Sequence, residues 1–227
     1  MAKILISVTS IAEAQLALDC GADIIDLKDP STGALGALPL SLIKEIVVHV
    51  NGRKLVSATI GDLPMDTEMI VKRVTLLAET NVDYIKIGFF EAADFNECLA
   101  ALKLVTQNGI KLIAVLFAEY YYPESLLDAI KKAGFIGIML DTAKKNGQTF
   151  FDYYSVKQSK EFANKILALD LTFGLAGSLK LENLVMAQQF NPSYIGFRGG
   201  VCDENKRQLA LSAEKIMAIC NLNVSLL

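Results

Sequence analysis

The stretch "IIDLKDPSTGALGA", residues 24–37, opens as an apolar run, sets Asp26 and Lys28 two positions apart, and then breaks into a glycine-rich loop. Side chains alternate along a strand, so Ile25 and Leu27 face one way while Asp26 and Lys28 face the other. A strand whose outer side packs on helices would bury the two aliphatic residues there and turn the acid and the lysine inward. Seven more short apolar runs follow the same grammar: "KILISV" (3–8), "LVSATI" (55–60), "YIKIG" (84–88), "LIAVLF" (112–117), "GIMLDT" (137–142), "LTFGLA" (171–176) and "YIGFR" (194–198). Segments of helical periodicity lie between them, from "IAEAQLALDC" to the last, "KRQLALSAEKIMAIC". Strands alternating with helices indicate a parallel sheet with crossover connections.

Eight such units in 227 residues average about 28 residues each, enough for a single-domain (β/α)8 TIM barrel spanning 1–227. A doubly wound sheet is the competing arrangement. Against it, "SVTSIAEAQ" offers no glycine after the first strand, where a dinucleotide-binding turn would need several. Ser41, Asp66, Asp94 and Ser178 stand near expected helix starts, where side-chain oxygens cap free N–H groups.

The chain is 52% hydrophobic, with 22 basic and 25 acidic residues scattered along it. The pI is about 5.3. No basic patch points to nucleic acid or an anionic membrane, so the expected partners are a small molecule and further copies of the chain, with no nucleic acid and no membrane. No apolar run approaches the roughly 20 residues of a membrane span. Cys20, Cys98, Cys202 and Cys220 form no CxxC pair, and the first residues, "MAKILISVTS", lack the apolar length of a signal peptide. Reduced thiols and a cytoplasmic location are expected.

Alternation turns Lys86, with Tyr84, inward from "YIKIG", Asp141 inward from "GIMLDT" and Arg198 inward from "YIGFR". These positions lie toward the C-terminal strand ends, the face on which barrel active sites are built. Burial and a neighbouring cation both favour the neutral form of an amine, and a neutral lysine attacks a carbonyl to form a Schiff base. Asp26 and Asp141 supply groups for proton transfer. The alternative for Asp26 and Lys28 is a satisfied ion pair that only fixes strand order. Gly33 and Gly36 give the loop after Lys28 the freedom to close over the mouth. "FGLAGSLK" and "GFRGGVC" place Gly177, Ser178, Gly199 and Gly200 beside Arg198 after the seventh and eighth strands, where barrels commonly hold phosphate. Lys144 or Lys145 is a candidate for a second phosphate. "FAEYYYPES" reads as loop packing. His49, the single histidine, lies on the apolar-periodic helix "SLIKEIVVHV", which leaves no histidine for a Ser-His-Asp triad or a histidine-rich zinc site.

On "GADIIDLKDPSTGALGA", "VDYIKIGF", "MLDTAKKNGQTFFD", "GLAGSL" and "IGFRGGVC", the chain resembles the (5-formylfuran-3-yl)methyl phosphate synthases of methanofuran biosynthesis over essentially its whole length. The resemblance implies a TIM-barrel lyase that condenses two glyceraldehyde 3-phosphate molecules into a phosphorylated furan aldehyde with loss of phosphate and water. It implies the Schiff base at Lys28, proton transfer by Lys86, and acidic partners at Asp26 and Asp141. It also favours Lys145 over Lys144, and it calls for no metal and no organic cofactor. A class I aldolase-like lyase and a barrel that binds a phosphorylated metabolite without turning it over remain alternatives.

Overall fold

In the computed structural model, which describes residues 1–92 and 94–226, eight parallel strands close into a barrel in chain order. The expected domain span runs to Leu227, which together with Ala93 lies outside the described residues. The strands are β1 (Lys3–Val8), β2 (Ile24–Leu27), β3 (Leu55–Thr59), β4 (Tyr84–Gly88), β5 (Leu112–Phe117), β6 (Gly137–Asp141), β7 (Thr172–Leu175) and β8 (Tyr194–Phe197). They alternate with α1 (Ile11–Asp19), α2 (Leu40–Val50), α3 (Thr67–Ala78), α4 (Asn96–Gln107), α5 (Leu126–Lys132), α6 (Val156–Ala168), α7 (Leu184–Gln188) and α8 (Ala213–Ser225). The last strand pairs with the first, Leu5 opposite Gly196, and closes the ring.

The pleat sorts the side chains into two cores. Ile25, Leu27, Ile85, Ile87, Ile138 and Leu140 face out and join the helices in one large cluster. Leu5, Ile24, Ile113, Val115, Phe117 and Met139 face in and form a smaller cluster within the barrel. Both faces of each strand are therefore buried, which is why the strands read as continuous apolar runs.

Five strands stop one residue short of the expected C-terminal end, leaving Lys28, Ile60, Thr142, Ala176 and Arg198 just beyond the ladder. Lys28, Ile60 and Ala176 each still donate a backbone N–H to the neighbouring strand, to Val8, Lys86 and Leu140, before the chain turns at the mouth. Asp66 caps α3 by accepting from the Met69 N–H at 2.8 Å, and Asp94 accepts from the Asn96 N–H at 3.0 Å. Ser41 lies inside α2, which starts after Pro39 and has no side-chain cap. Ser178 starts no helix either; a 3-10 turn over Leu181–Asn183 leads into α7. The expected final helix begins later than its periodicity suggests. Ser212 accepts from the Lys215 N–H and starts α8 at Ala213. Residues 203–211 are thereby left as a 3-10 turn over Asp203–Asn205 and a loop, pinned by an isolated antiparallel bridge between Cys202 and Leu211.

The loop after β2 is folded down over the mouth. Asp62 accepts the N–H groups of Ala34 and Leu35 at 2.7 and 2.6 Å, and Leu35 is fully buried in the inner core. Gly33 adopts φ +132°, and a Cβ there would stand 2.1 Å from Asp62 Oδ2, so this approach requires glycine. Phe90, Phe117 and Tyr120 stack beside Leu35, with ring centroids 4.7 and 5.6 Å from that of Phe117. The hydroxyl of Tyr122 donates to the Phe89 carbonyl at 2.6 Å and accepts the Phe117 N–H at 3.0 Å, so "FAEYYYPES" serves as packing.

Candidate active site

A cavity of about 370 Å³, within the range of small-molecule sites, opens at the C-terminal ends of β1, β2, β6, β7 and β8. Asp26 lies on its floor with no exposure. Register sets Ser7 and Ser57 directly beside it on the neighbouring strands. Ser7 Oγ donates to Oδ2 at 2.9 Å and Ser57 Oγ to Oδ1 at 2.6 Å. Lys86 reaches across from β4 to place Nζ 2.6 Å from Oδ1. The acid of "IIDLK" therefore pairs with Lys86, and the pairing of Asp26 with Lys28 considered from spacing does not form.

Asp141 holds a second pair. Its Oδ1 accepts from Lys145 Nζ at 2.8 Å and from the Thr142 N–H at 2.7 Å. Lys145 also donates to the Thr142 carbonyl at 2.5 Å. Glu119, from the loop after β5, accepts the N–H groups of Ala143 and Lys144 at 2.9 and 2.8 Å and fixes this loop. The same geometry leaves Lys144 exposed and turns Lys145 into the cavity.

Lys28 stands between the two pairs. It is 8% exposed, and among the described residues its Nζ has no hydrogen-bond or ion-pair partner. Its charge is nevertheless felt by Asp26, Lys86, Asp141 and Lys145. Burial pushes the ammonium of Lys86 below its ordinary range, against the pull of Asp26, and Lys28 adds to the lowering. Burial lowers Lys145 likewise, against Asp141. Burial alone would raise Asp141, but Lys145 and Lys28 outweigh it and hold the carboxyl at about 2. Asp26 is lowered in the same sense, with Lys86 and Lys28 overcoming burial.

The two glycine clusters meet at the rim. Gly177 has φ +96° and Ser178 φ +54°. A Cβ on Gly200 would stand 2.2 Å from the Leu179 carbonyl oxygen, so the loops after β7 and β8 touch backbone to backbone. Among the described residues the N–H groups of Ser178, Leu179, Gly199 and Gly200 find no backbone acceptor, and all four residues line the cavity. This is a cradle suited to an anion.

Arg198 lines the cavity as its inward position implies, but its guanidinium is already engaged by the protein. Nε donates to the Arg207 carbonyl at 2.8 Å, and the terminal nitrogens donate to both oxygens of Glu13 at 2.6 and 3.1 Å and to the carbonyls of Ser7 and Leu209 at 3.1 and 3.3 Å. A guanidinium has five N–H donors, and these contacts engage all of them. Glu13 escaped notice in the sequence because "SIAE" reads as a helix start. Ser10 does cap Glu13 N at 3.2 Å, while the Glu13 carboxylate goes to Thr9 and Arg198. Arg207 also lines the cavity and was hidden in the segment expected to be helix. His49 lies away from the site, its Nε2 2.9 Å from Gln15 Oε1.

No helix among the described residues is long and apolar enough to cross a membrane. Solved barrels share the fold. Phosphoribosyl anthranilate isomerase from Thermus thermophilus superposes with a TM-score of 0.70 at 17% identity, covering 99% of this chain and 100% of that one. The 3-hexulose-6-phosphate synthase of Salmonella typhimurium gives 0.68 at 16%, covering 98% and 99%. Sequence relatives are nearer. A protein of Methylorubrum extorquens is 38% identical over 214 residues, 94% of this chain and 88% of its own. The (5-formylfuran-3-yl)methyl phosphate synthase of Methanococcus maripaludis strain C7 is 35% identical over 216 residues, 90% of this chain and 91% of its own. That of Methanosarcina mazei is 33% identical over 231 residues, 96% and 99% respectively. The profile of the 4-HFC-P synthase family matches residues 4–220, and the chain belongs to that family.

Proposed function

We propose that this chain condenses two molecules of glyceraldehyde 3-phosphate into (5-formylfuran-3-yl)methyl phosphate, releasing one inorganic phosphate and two waters, through an imine on Lys28. The observation that carries this reading is the unpartnered amine of Lys28, held between the Asp26–Lys86 and Asp141–Lys145 pairs. An amine tied to its own carboxylate would have to break that contact before attacking a carbonyl. Here the carboxylates are engaged by other lysines. The imine withdraws electrons from the bound triose, a proton leaves the neighbouring carbon, and the resulting enamine forms the new carbon–carbon bond to the second triose. Lys86, Lys145 and the two acids move protons during elimination and ring closure. The imine is the electron sink in this scheme, so no metal or organic cofactor is drawn on, and activity should survive exhaustive chelation. The scheme places the chain in a route to methanofuran or a related furan cofactor, and in the reducing cytoplasm.

The test is to incubate the purified protein with glyceraldehyde 3-phosphate alone and follow furan absorbance and released phosphate. Two trioses should be consumed per phosphate freed. Borohydride added during turnover should fix a mass adduct on the peptide carrying Lys28. A hexose phosphate product would move the chain to aldolase chemistry, and an adduct confined to Lys86 would overturn the assignment of the imine.

A further inference from the structure

We infer that Arg207 is the guanidinium that grips a substrate phosphate at the barrel mouth, and that Arg198 is the strut that holds the loop carrying it. The inference rests on the reading above only in taking the substrate to be a phosphate monoester.

Sequence position favours Arg198 for this task, since it ends β8 beside Gly199 and Gly200. Its side chain has no donor left to give: all five N–H groups go to Glu13, to the carbonyls of Ser7 and Leu209, and to the carbonyl of Arg207 itself. Arg207 is the reverse case. It is partly buried and lines the cavity, yet among the described residues its guanidinium makes no hydrogen bond and no ion pair. Asp141, Asp62 and Asp29 lie within electrostatic range, as do Lys145 and Arg198. Arg207 lines the cavity beside the loop after β8, where a Cβ at Gly199 would lie 3.7 Å from its own Cβ. A guanidinium held over a cavity, with acids near enough to attract it but none close enough to bond it, offers paired N–H donors to an arriving phosphate. The glycine N–H groups after β7 and β8 provide one anion cradle. Arg207, whose Cβ lies beside Gly199, adds a guanidinium at the edge of that cradle, and Lys145 supplies a further cation on the β6 side, as a reaction joining two phosphorylated trioses requires.

The strut follows from chain geometry. After a 3-10 turn over Asp203–Asn205, held by Lys215 Nζ on Asn205 Oδ1 at 2.9 Å and by the Cys202–Leu211 bridge, residues 206–210 have no helix, and Arg198 holds the carbonyls of Arg207 and Leu209 there. Glu13 anchors Arg198 in turn.

The probe is sn-glycerol 3-phosphate, a phosphate monoester with no carbonyl to react, titrated calorimetrically into the wild-type chain and into Arg207→Gln, Arg207→Lys and Arg198→Lys. Arg207→Gln is expected to weaken binding about tenfold or more, or to remove one bound ligand per chain, at unchanged thermal midpoint, with Arg207→Lys recovering part of the loss. With glyceraldehyde 3-phosphate, Arg207→Gln should raise KM more than it lowers kcat. Arg198→Lys should weaken glycerol phosphate binding as well, and adding it to Arg207→Gln should cost little further affinity, because a strut acts only through what it holds. Unchanged affinity and stoichiometry in Arg207→Gln overturn the inference. Additive losses in the double variant overturn the strut. A wild-type chain that binds glycerol phosphate through Arg207 but forms no furan would sink the proposed reaction and leave this site standing.

Discussion

Between β3 and β5 the upper barrel is filled by Val115 and Phe117 beneath Leu35 and Phe90, whereas from β6 round to β1 the corresponding positions are Ala176, Gly196 and Ser7. The two halves share one pleat and one hydrogen-bonded ring. They differ in side-chain volume. A Cβ at Gly88 would stand 2.8 Å from Leu35 Cδ1, so even the glycine on the filled side serves close packing, while Gly196 lines the cavity and its closest neighbour would be the flexible end of Met139. The cavity is thus made by leaving side chains out, and the folded-down loop after β2 closes the remainder. The titratable groups sit along the seam: Asp26 and Lys28 from β2, Lys86 from β4, Asp141 and Lys145 from β6. There the filled half excludes water from ion pairs that the open half presents to substrate.

The largest expected effect falls on the seam itself. Lys28→Arg keeps the charge but cannot form an imine, so furan formation should drop by roughly 10³-fold or more while circular dichroism stays that of the folded barrel. Residual activity near wild type would show that the unpaired amine is a bystander. Lys86→Ala removes the one cation bonded to buried Asp26 among the described residues and should cost about 3–5 kcal/mol in urea unfolding. It should also slow turnover by about 10²-fold, while borohydride still traps substrate on Lys28.

Two matched substitutions address the halves directly. Leu35→Ala empties a fully buried site on the filled side, and a loss of about 2–5 kcal/mol is expected. Gly196→Ala adds a methyl that would meet the ends of Met139 and Leu5 at 3.1 and 3.3 Å and the Ala176 Cβ at 3.4 Å, so a stability cost of about 1 kcal/mol, below that at Leu35, is expected while kcat/KM falls. Equal stability costs at the two positions would remove the distinction between the halves.

A further expected effect is a dependence on pH. The Asp141 carboxyl is held at about 2, below its unfolded value, so its contribution is complete above about pH 4 and is lost as pH falls toward 2. The contribution is about 2 kcal/mol. The stability difference between wild type and Asp141→Asn should shrink through that window, and a constant difference would argue against the ion pair with Lys145.

The barrel was legible in the sequence because burial on both faces writes each strand as an apolar run, and because an inward charge stands out within it. Lys28, Lys86 and Asp141 follow from alternation alone. The partner of Asp26 does not, since Lys86 comes from two strands away and only the closed ring brings it within 2.6 Å. Leu35 read as loop because nothing local distinguishes a plug from a turn. Arg207 was masked by apolar residues of helical spacing, in a segment where the cap at Ser212 overrides periodicity. The fate of Arg198 was unreadable for a simpler reason: its anchor, Glu13, lies 185 positions away.

That separation has a consequence for biosynthesis. Arg198 also bonds the Ser7 carbonyl across 191 positions, and β8 is the last strand to be made. During translation, β1 through β7 can pair while the ring is still open, but the contacts that shape the rim after β8 form only when the two ends of the sheet meet. Contacts so distant along the chain carry a high entropic cost of closure and are slow to form. A nascent chain therefore carries Lys28 and Lys86 on an unfinished sheet well before it has a pocket, and the rim after β8 is the final part of the molecule to mature.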